Sequence, residues 1–253
     1  MSATTQGPVL SPTTGEPVAT VARRNRVGIW LCIVSDVTGV VALLIAYAYL
    51  WSLNVNDGWA PPNNSFAPPL LFWVIAIGGV LTALLLWWGA LGVQKGNRGT
   101  LMTAGVLALI ICIATFVIQI VQLSTFPFGP SDGAYASATF WLALGAAFHL
   151  SLVMFLITAV VGRTARGLIT PANPSHARLV AMYSTWAAIA IILGAFFATT
   201  MTTSPNVNSP TMGGFGLATT PANQPPASPA ASAPAAAPAS APAASSAPSP
   251  SAS

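Results

Sequence analysis

The sequence predicts an all-α polytopic membrane protein with five transmembrane helices, a cytoplasmic N-terminus and a C-terminus on the outer side. Only 5% of its 253 residues are charged while 54% are hydrophobic, which is typical of membrane proteins rather than soluble domains. Five apolar stretches each supply the roughly 20 residues that a helix needs to cross about 30 Å of hydrocarbon. They run from Val27 to Trp51, Pro68 to Val93, Thr100 to Leu123, Ser137 to Gly162 and Leu179 to Met201.

The orientation follows from the basic residues. All eight Lys and Arg residues fall in segments that five crossings place on one side of the membrane, and the segments on the other side hold none. Cytoplasmic loops carry an excess of Lys and Arg, so this side is predicted to be cytoplasmic. The net charge of +4 is therefore topogenic and does not indicate nucleic-acid binding. The eight residues are Arg23, Arg24, Arg26, Lys95, Arg98, Arg163, Arg166 and Arg178.

Three regions follow from the composition. Residues 1–25 are rich in Thr, Pro, Gly and Val without periodicity, which predicts a disordered cytoplasmic tail. Residues 26–202 form the five-helix domain, whose first span is too long for a signal peptide and is expected to stay in the protein. Residues 203–253 are predicted to be a disordered outer tail, either a spacer or a dispensable extension, because from about Thr219 to Ser253 they are almost wholly Ala, Pro and Ser.

The connections predict how some helices pack. Residues 94–99 allow only a tight turn, so the second and third helices are expected to be antiparallel neighbours. Small residues four positions apart let helix backbones approach closely in lipid. Such pairs are Ser35 and Gly39, Gly78 and Thr82, and Ala143 and Ala147.

The predicted spans contain one acid, Asp36, and one histidine, His149. Asp36 lies about 14 Å into the first span and His149 about 18 Å into the fourth, so both fall near the midplane. A charged Asp there costs about 2.5 to 3.5 kcal/mol, so it must face protein, a polar cavity or a lipid headgroup, or be neutral. Two interpretations stay open: a proton-handling or lipid-contacting acid, or a neutral acid that is hydrogen-bonded to Ser35 or His149. For His149 the alternative is a simple packing role.

The sequence indicates no chemistry of the chain's own. One intramembrane histidine cannot supply both axial ligands of a membrane haem, and a copper or zinc cluster needs more His or Cys. There is also no P-loop, no Gly-x-Ser-x-Gly motif and no His-Glu-x-x-His motif. No catalytic, cofactor-binding or metal-binding residue is therefore predicted.

Several short motifs resemble subunit III of the cytochrome c oxidases and other haem-copper oxidases. In the first span Gly28-x-Trp30-Leu31, Ser35-Asp36-Val37 and Ala46-Tyr47-x-Tyr49 are similar to that family's Gly-x-Trp-Leu, Ser-Glu-Val and Ala-Tyr-x-Tyr. The following loop has the similar Trp-Ala-Pro-Pro at residues 59–62. Tyr-x-Ser at residues 135–137 and Phe-His at residues 148–149 resemble the family's later motifs. Five helices with an inner N-terminus match its shorter bacterial members.

The chain also departs from the family. Asp36 stands where the family has Glu, and only one of two family histidines is present. Counting from Ser137 aligns His149 with the second of them, whereas its Phe-His context aligns it with the first. In the last span Met182-Tyr-Ser-Thr-Trp-Ala187 replaces Tyr-Trp-His-Phe-Val-Asp, without its His and Asp.

The resemblance implies a non-catalytic accessory subunit of a respiratory haem-copper oxidase, multi-pass in the bacterial inner membrane. Such a subunit packs against the catalytic subunit I, binds phospholipid in a cleft between its helices, and supports assembly, proton uptake and sustained turnover. Haem and copper are then expected in partner subunits and none in this chain. Asp36, His149 and Ser35 would be the lipid-binding or proton-handling residues, and Gly28, Trp30, Tyr47 and Tyr49 the helix motif. Neither the electron donor nor the choice between oxygen and nitric oxide follows from the resemblance.

Two alternatives come from other classes of protein. Asp36 and His149 could relay protons in a small proton-coupled transporter or channel. The chain could instead be a membrane anchor that displays its outer tail.

Overall fold

Five long helices make up most of the computed structural model, which describes residues 10, 14–54 and 58–205. Each helix is long and apolar enough to cross a membrane, and the described residues contain no β-strand. The predicted all-α architecture of a polytopic membrane protein is therefore confirmed, while its sidedness stays a prediction. The helices are α1 (Val18–Leu53), α2 (Pro69–Gln94), α3 (Arg98–Ser124), α4 (Ala134–Ala165) and α5 (Ser175–Thr200).

Helix α1 begins earlier than the sequence predicts. It starts at Val18, so residues 18–25, which were expected in the disordered tail, are helical. Pro17 occupies the N-cap position, and no further proline interrupts the helix before Leu53. With 36 residues α1 is about 54 Å long, so one end extends beyond the hydrocarbon. Most of the predicted outer tail, from residue 206 onward, lies outside the described residues.

Helices α2 to α5 form a ring in which each helix packs on two others. Helix α2 contacts α3 and α5, and α4 also contacts α3 and α5. Helix α1 lies outside this ring and packs on α4 and α5. Only 11% of its most apolar segment is buried, against 56% for α5, which has α1, α2 and α4 as neighbours. Helix α1 is therefore the peripheral helix of the domain.

The predicted antiparallel pairing of α2 and α3 is confirmed, and small residues explain its closeness. A Cβ atom on Gly78 would lie 2.2 Å from Thr115 Oγ1, and one on Gly92 would lie 2.5 Å from Thr100 Cγ2. Both glycines face α3, and the two helices approach closely there because glycine has no side chain. Gly39 of α1, in contrast, has nothing within 4 Å of its Cβ position and faces outward.

The chain segment before α2 closes one end of the ring. The carbonyl oxygens of Gly58 and Trp59 each accept a hydrogen bond, at 3.0 Å, from the backbone N–H groups of Ala134 and Tyr135 at the start of α4. Those N–H groups have no partner within their own helix, so the loop acts as their cap. Only glycine suits position 133 in this contact. The backbone has a φ of 129° there, and a Cβ atom would lie 3.3 Å from the carbonyl oxygen of Ala60.

At the opposite end, Arg98 connects α3 to α4. Its guanidinium Nη2 donates a hydrogen bond to the carbonyl oxygen of Thr164, at 2.6 Å, in the last turn of α4. A cation is favourable there because the last carbonyl groups of a helix lack partners and carry negative partial charge. Lys95 and Arg178 lie at this same end of the ring, since α2 ends and α5 begins here.

Candidate functional site

The two candidate residues of the predicted spans meet in the structure. Nε2 of His149 on α4 lies 2.8 Å from Oδ2 of Asp36 on α1. The pair joins residues 113 positions apart in the sequence, at the place where the peripheral α1 packs on the ring. Of the two partners predicted for the acid, the structure therefore supplies His149.

A third side chain completes the cluster. The indole Nε1–H of Trp186 on α5 donates a hydrogen bond to the same Asp36 Oδ2, at 2.7 Å. The fully buried Tyr183, one turn earlier on α5, also interacts electrostatically with Asp36. Asp36, His149, Trp186 and Tyr183 form what we call the intramembrane polar cluster, to which α1, α4 and α5 all contribute.

The orientation of the histidine ring is set within its own helix. Nδ1 of His149 lies 2.7 Å from the carbonyl oxygen of Gly145, one turn earlier in α4. A carbonyl oxygen only accepts hydrogen bonds, so Nδ1 carries a proton and Nε2 is the nitrogen that faces Asp36. The His149 side chain is only 6% exposed, which fits a ring with both nitrogens in hydrogen bonds.

The burial of the pair is uneven. The Asp36 side chain is 21% exposed, more than three times the exposed fraction of His149. The carboxyl group is therefore the open side of the cluster, and the imidazole is its closed side. Because each buried charge is expensive in hydrocarbon unless it is paired, a contact between an acid and a base is the arrangement expected at this depth.

The structure does not bring Ser35 into the cluster. Its side chain is exposed on α1, as are Gly28, Trp30 and Tyr49, while Asp36 next to it faces α4 and α5. Successive residues of a helix point in directions about 100° apart, which separates Ser35 from its neighbour. Among the motif residues of α1, Tyr47 is buried, with 1% of its surface exposed.

Tyr47 belongs to a second assembly, an aromatic cluster at the end of the ring that holds the loop before α2. Its ring packs edge-on against Trp59, at 5.2 Å between centroids, and Trp59 packs in the same way against Tyr135 at 5.7 Å. The Tyr135 hydroxyl accepts a hydrogen bond from the Ala67 N–H and donates one to the Ala198 carbonyl oxygen. The motifs at residues 46–49 and 59–62 therefore pack on the motif at residues 135–137, which is distant from them in the sequence.

Sequence reasoning missed Trp186 as a partner of Asp36. Tryptophan residues of membrane proteins concentrate at span ends, whereas Trp186 is the twelfth residue of the 26-residue α5. A tryptophan near the middle of a span needs an acceptor for its N–H group, and Asp36 is the acid at a matching depth. That depth is the signal that could have identified the contact.

Within the described part of the chain, no three His, Cys, Asp or Glu residues lie together as a metal-binding group. The polar cluster contains one such base and one such acid, and its remaining members are Trp186 and Tyr183. Its side chains offer hydrogen-bond donors and acceptors and two groups, an acid and a base, that can hold a proton.

The fold and this cluster define a class of protein, a polytopic helical membrane protein with a histidine–carboxyl pair inside its apolar spans. Comparison of the sequence with known protein-family models and with characterised proteins gives no match.

Proposed function

We propose that the chain is a non-catalytic accessory subunit of a respiratory haem-copper oxidase in a bacterial inner membrane. In this role it packs on the catalytic subunit I, binds phospholipid in a cleft between its helices, and supports assembly, proton uptake and sustained turnover. Haem and copper belong to the partner subunits. The proposal rests on the resemblance of its short motifs to subunit III of these oxidases.

The packing of those motifs is the observation that best supports the proposal. Ala-Tyr-x-Tyr of α1, Trp-Ala-Pro-Pro of the following loop and Tyr-x-Ser of α4 meet through Tyr47, Trp59 and Tyr135, each at most 1% exposed. Ser-Asp-Val and Phe-His likewise meet through Asp36 and His149. The contact of these motifs with one another supports the proposal, because residues that carry the resemblance lie in two assemblies of the fold.

The peripheral position of α1 also fits the proposal. Helix α1 fully buries only Ile33, Leu44 and Tyr47, and its exposed face is open to lipid or to another subunit. The partly exposed Asp36 lies along the edge where α1 meets α4 and α5. An acid in that position can contact a bound lipid or exchange a proton with its surroundings.

Purification of the full chain from its native membranes tests the proposal. A tagged chain extracted in mild detergent is expected to carry along a subunit with haem and copper, detected by optical spectroscopy and metal analysis. The same chain expressed alone is expected to lack both signals. A stoichiometric haem band in the chain expressed alone would contradict the accessory role, as would native preparations without any haem-bearing subunit.

The contact between Asp36 and His149 favours one further candidate, a small proton-coupled transporter or channel. An acid and a base in hydrogen-bond contact inside a membrane are typical components of proton pathways. This candidate predicts proton flux across liposomes that contain the chain alone, and loss of that flux in the variant Asp36→Asn. The accessory-subunit proposal predicts no flux in the same assay.

A further inference from the structure

We propose that Asp36 and His149 together form a binding site for a single proton, and that Trp186 positions the carboxyl group of that site. The inference makes the proton-handling part of the proposed function more specific. It rests on that function only for the biological role of the site. The geometry of the polar cluster carries it independently.

The first step is the hydrogen-bond inventory of His149. Nδ1 is committed as a donor to the Gly145 carbonyl oxygen at 2.7 Å. A neutral His149 therefore presents an unprotonated Nε2 to Asp36, and a charged His149 presents an N–H group. The protonation of the contact between Nε2 and Oδ2 thus depends only on how many protons the pair holds besides the one on Nδ1.

The second step is the contact itself. Nε2 and Oδ2 are 2.8 Å apart, a hydrogen-bond distance that requires a proton between them. Without one, the lone pair of Nε2 would face a carboxylate oxygen, and two acceptors would repel each other. One proton satisfies the contact whether its covalent bond is to nitrogen or to oxygen.

The third step is the net charge. With one shared proton the pair is neutral overall, as an imidazolium with a carboxylate or as an imidazole with a carboxylic acid. No shared proton leaves a net charge of −1 within the apolar spans, and two protons leave +1, each at a cost of several kcal/mol. All eight basic residues lie outside the predicted spans, and among the described residues none of them forms an ion pair with Asp36. Hydrogen bonding and charge therefore select the same state.

The groups that face Asp36 from the neighbouring elements do not change this count. Tyr183 of α5 interacts with both Asp36 and Cys32, and both Tyr183 and Cys32 are neutral in their protonated forms. Trp186 donates its N–H to Oδ2 at 2.7 Å and does not titrate. It fixes which carboxyl oxygen faces His149, so it is a positioning residue. The shared proton is thus the variable proton of the cluster.

The route of exchange follows from exposure. His149 is closed off at 6% exposure, whereas the Asp36 side chain is 21% exposed at the edge of α1. A proton that enters or leaves the pair therefore passes on the carboxyl side. This places the site in contact with whatever covers that edge of α1 in the membrane.

Spectroscopy of the full chain in lipid nanodiscs tests the proton count. The chain has two histidines, so the background variant His176→Gln leaves His149 as the sole ¹⁵N-labelled ring. Nitrogen NMR reports the charge of that ring. The chain has three aspartates, so the infrared band of labelled aspartate that is lost in Asp36→Asn reports the protonation of Asp36. At neutral pH the two measurements are expected to sum to one shared proton. A neutral ring beside an ionised carboxylate, or a charged ring beside a carboxylic acid, would overturn the proposal.

Two variants extend the test. Asp36→Asn supplies an amide N–H to Nε2, so His149 is expected to be neutral without a shared proton. Trp186→Phe is expected to shift the carboxyl band of Asp36, because the fixed donor is lost. The matched control is Trp87→Phe, which removes an indole that donates to Thr185 rather than to the pair. Equal bands in Trp186→Phe and in the unaltered protein would remove the positioning role. Because the proton count uses the isolated chain, its failure is distinct from a failure to co-purify with an oxidase.

Discussion

Trp186 on α5 donates its indole N–H to Asp36 on α1 across 2.7 Å, and this bond joins the peripheral helix to the most buried one. Helix α1 has only Ile33, Leu44 and Tyr47 buried among its 36 residues. Around Asp36, Ile33 is buried and Val37 and Val40 pack on the core, so the polar contacts add to an apolar attachment. Asp36 accepts a hydrogen bond from Trp186 and shares one with His149, so it joins α1 to both α5 and α4.

Trp186→Phe tests the contribution of that bond to stability. The variant keeps an aromatic ring on α5 but removes the donor, so we expect the folded protein to lose about 1 to 3 kcal/mol. Thermal unfolding in detergent, followed by circular dichroism, measures the loss. Trp30→Phe is the matched control, because Trp30 is 52% exposed on α1. Equal melting temperatures for both variants would show that the bond does not stabilise the fold.

Asp36→Asn and Asp36→Leu separate protonation from packing. Trp186 and His149 both contact Oδ2, so an asparagine keeps one of the two contacts, through an amide N–H to His149 or a carbonyl oxygen to Trp186, and we expect that variant still to assemble. It cannot exchange a proton, so we expect the associated oxidase to lose activity faster during sustained turnover. Leucine leaves Trp186 and His149 without a partner, at about 1 to 3 kcal/mol each, and assembly should suffer. Oxygen consumption over time, at equal haem content, measures both effects. Wild-type lifetime and assembly in both variants would exclude a role for Asp36.

Gly78→Ala tests the close approach of α2 and α3. The added Cβ would lie 2.2 Å from Thr115 Oγ1 and 3.1 Å from Thr115 Cβ, so the helices must separate or the threonine must move. We expect a loss of about 1 to 3 kcal/mol, as in other overpacked cores. The double variant Gly78→Ala with Thr115→Ala should recover part of it. Gly39→Ala is the control, since nothing lies within 4 Å of its Cβ position, and it should not destabilise.

Tyr135→Phe tests the aromatic cluster. The hydroxyl of Tyr135 accepts from the Ala67 N–H at 3.3 Å and donates to the Ala198 carbonyl oxygen at 3.1 Å, and the residue is fully buried. Phenylalanine leaves both backbone groups without this partner, so we expect a loss of about 1 to 3 kcal/mol. Tyr49→Phe changes the same atom on an exposed side chain and should be silent. The same denaturation profile for both variants would mean that other groups replace the hydroxyl.

The sequence predicts the helices well because membrane spans are defined by composition. Eight of the ten predicted span boundaries lie within three residues of a helix end, whereas the start of α5 differs by four residues and the start of α1, at Val18, by nine. Hydropathy detects the apolar segment and is blind to the polar turns that continue a helix beyond the membrane. The tight turn before Arg98 predicts the pairing of α2 and α3 for a simple geometric reason, since two helices joined by so few residues must be neighbours.

The polar cluster was only half predictable. Depth within the spans places Asp36 and His149 at one level, but it does not give the rotation of α1 about its axis. That rotation turns Asp36 toward α5 and leaves Ser35 exposed. Whether Trp186 reaches Asp36 depends on how α5 packs against α1. That packing depends on the sizes of the side chains between the two helices. Tertiary packing, which no local pattern encodes, therefore completes the site.

Cysteine labelling tests the orientation of the domain. Lys95 and Arg166 are exposed at the end of the ring where Arg98 of α3 bonds to α4, and Asn64 is exposed at the opposite end. In a background without Cys32 and Cys112, single cysteines at the three positions are expected to report two opposite sides. The basic residues predict that positions 95 and 166 are cytoplasmic, so a membrane-impermeant maleimide added to intact cells should label only position 64. Permeabilised cells should label all three, which controls for accessibility. Labelling at 95 and 166 but not at 64 in intact cells would invert the topology, and with it the assignment of the cytoplasmic side.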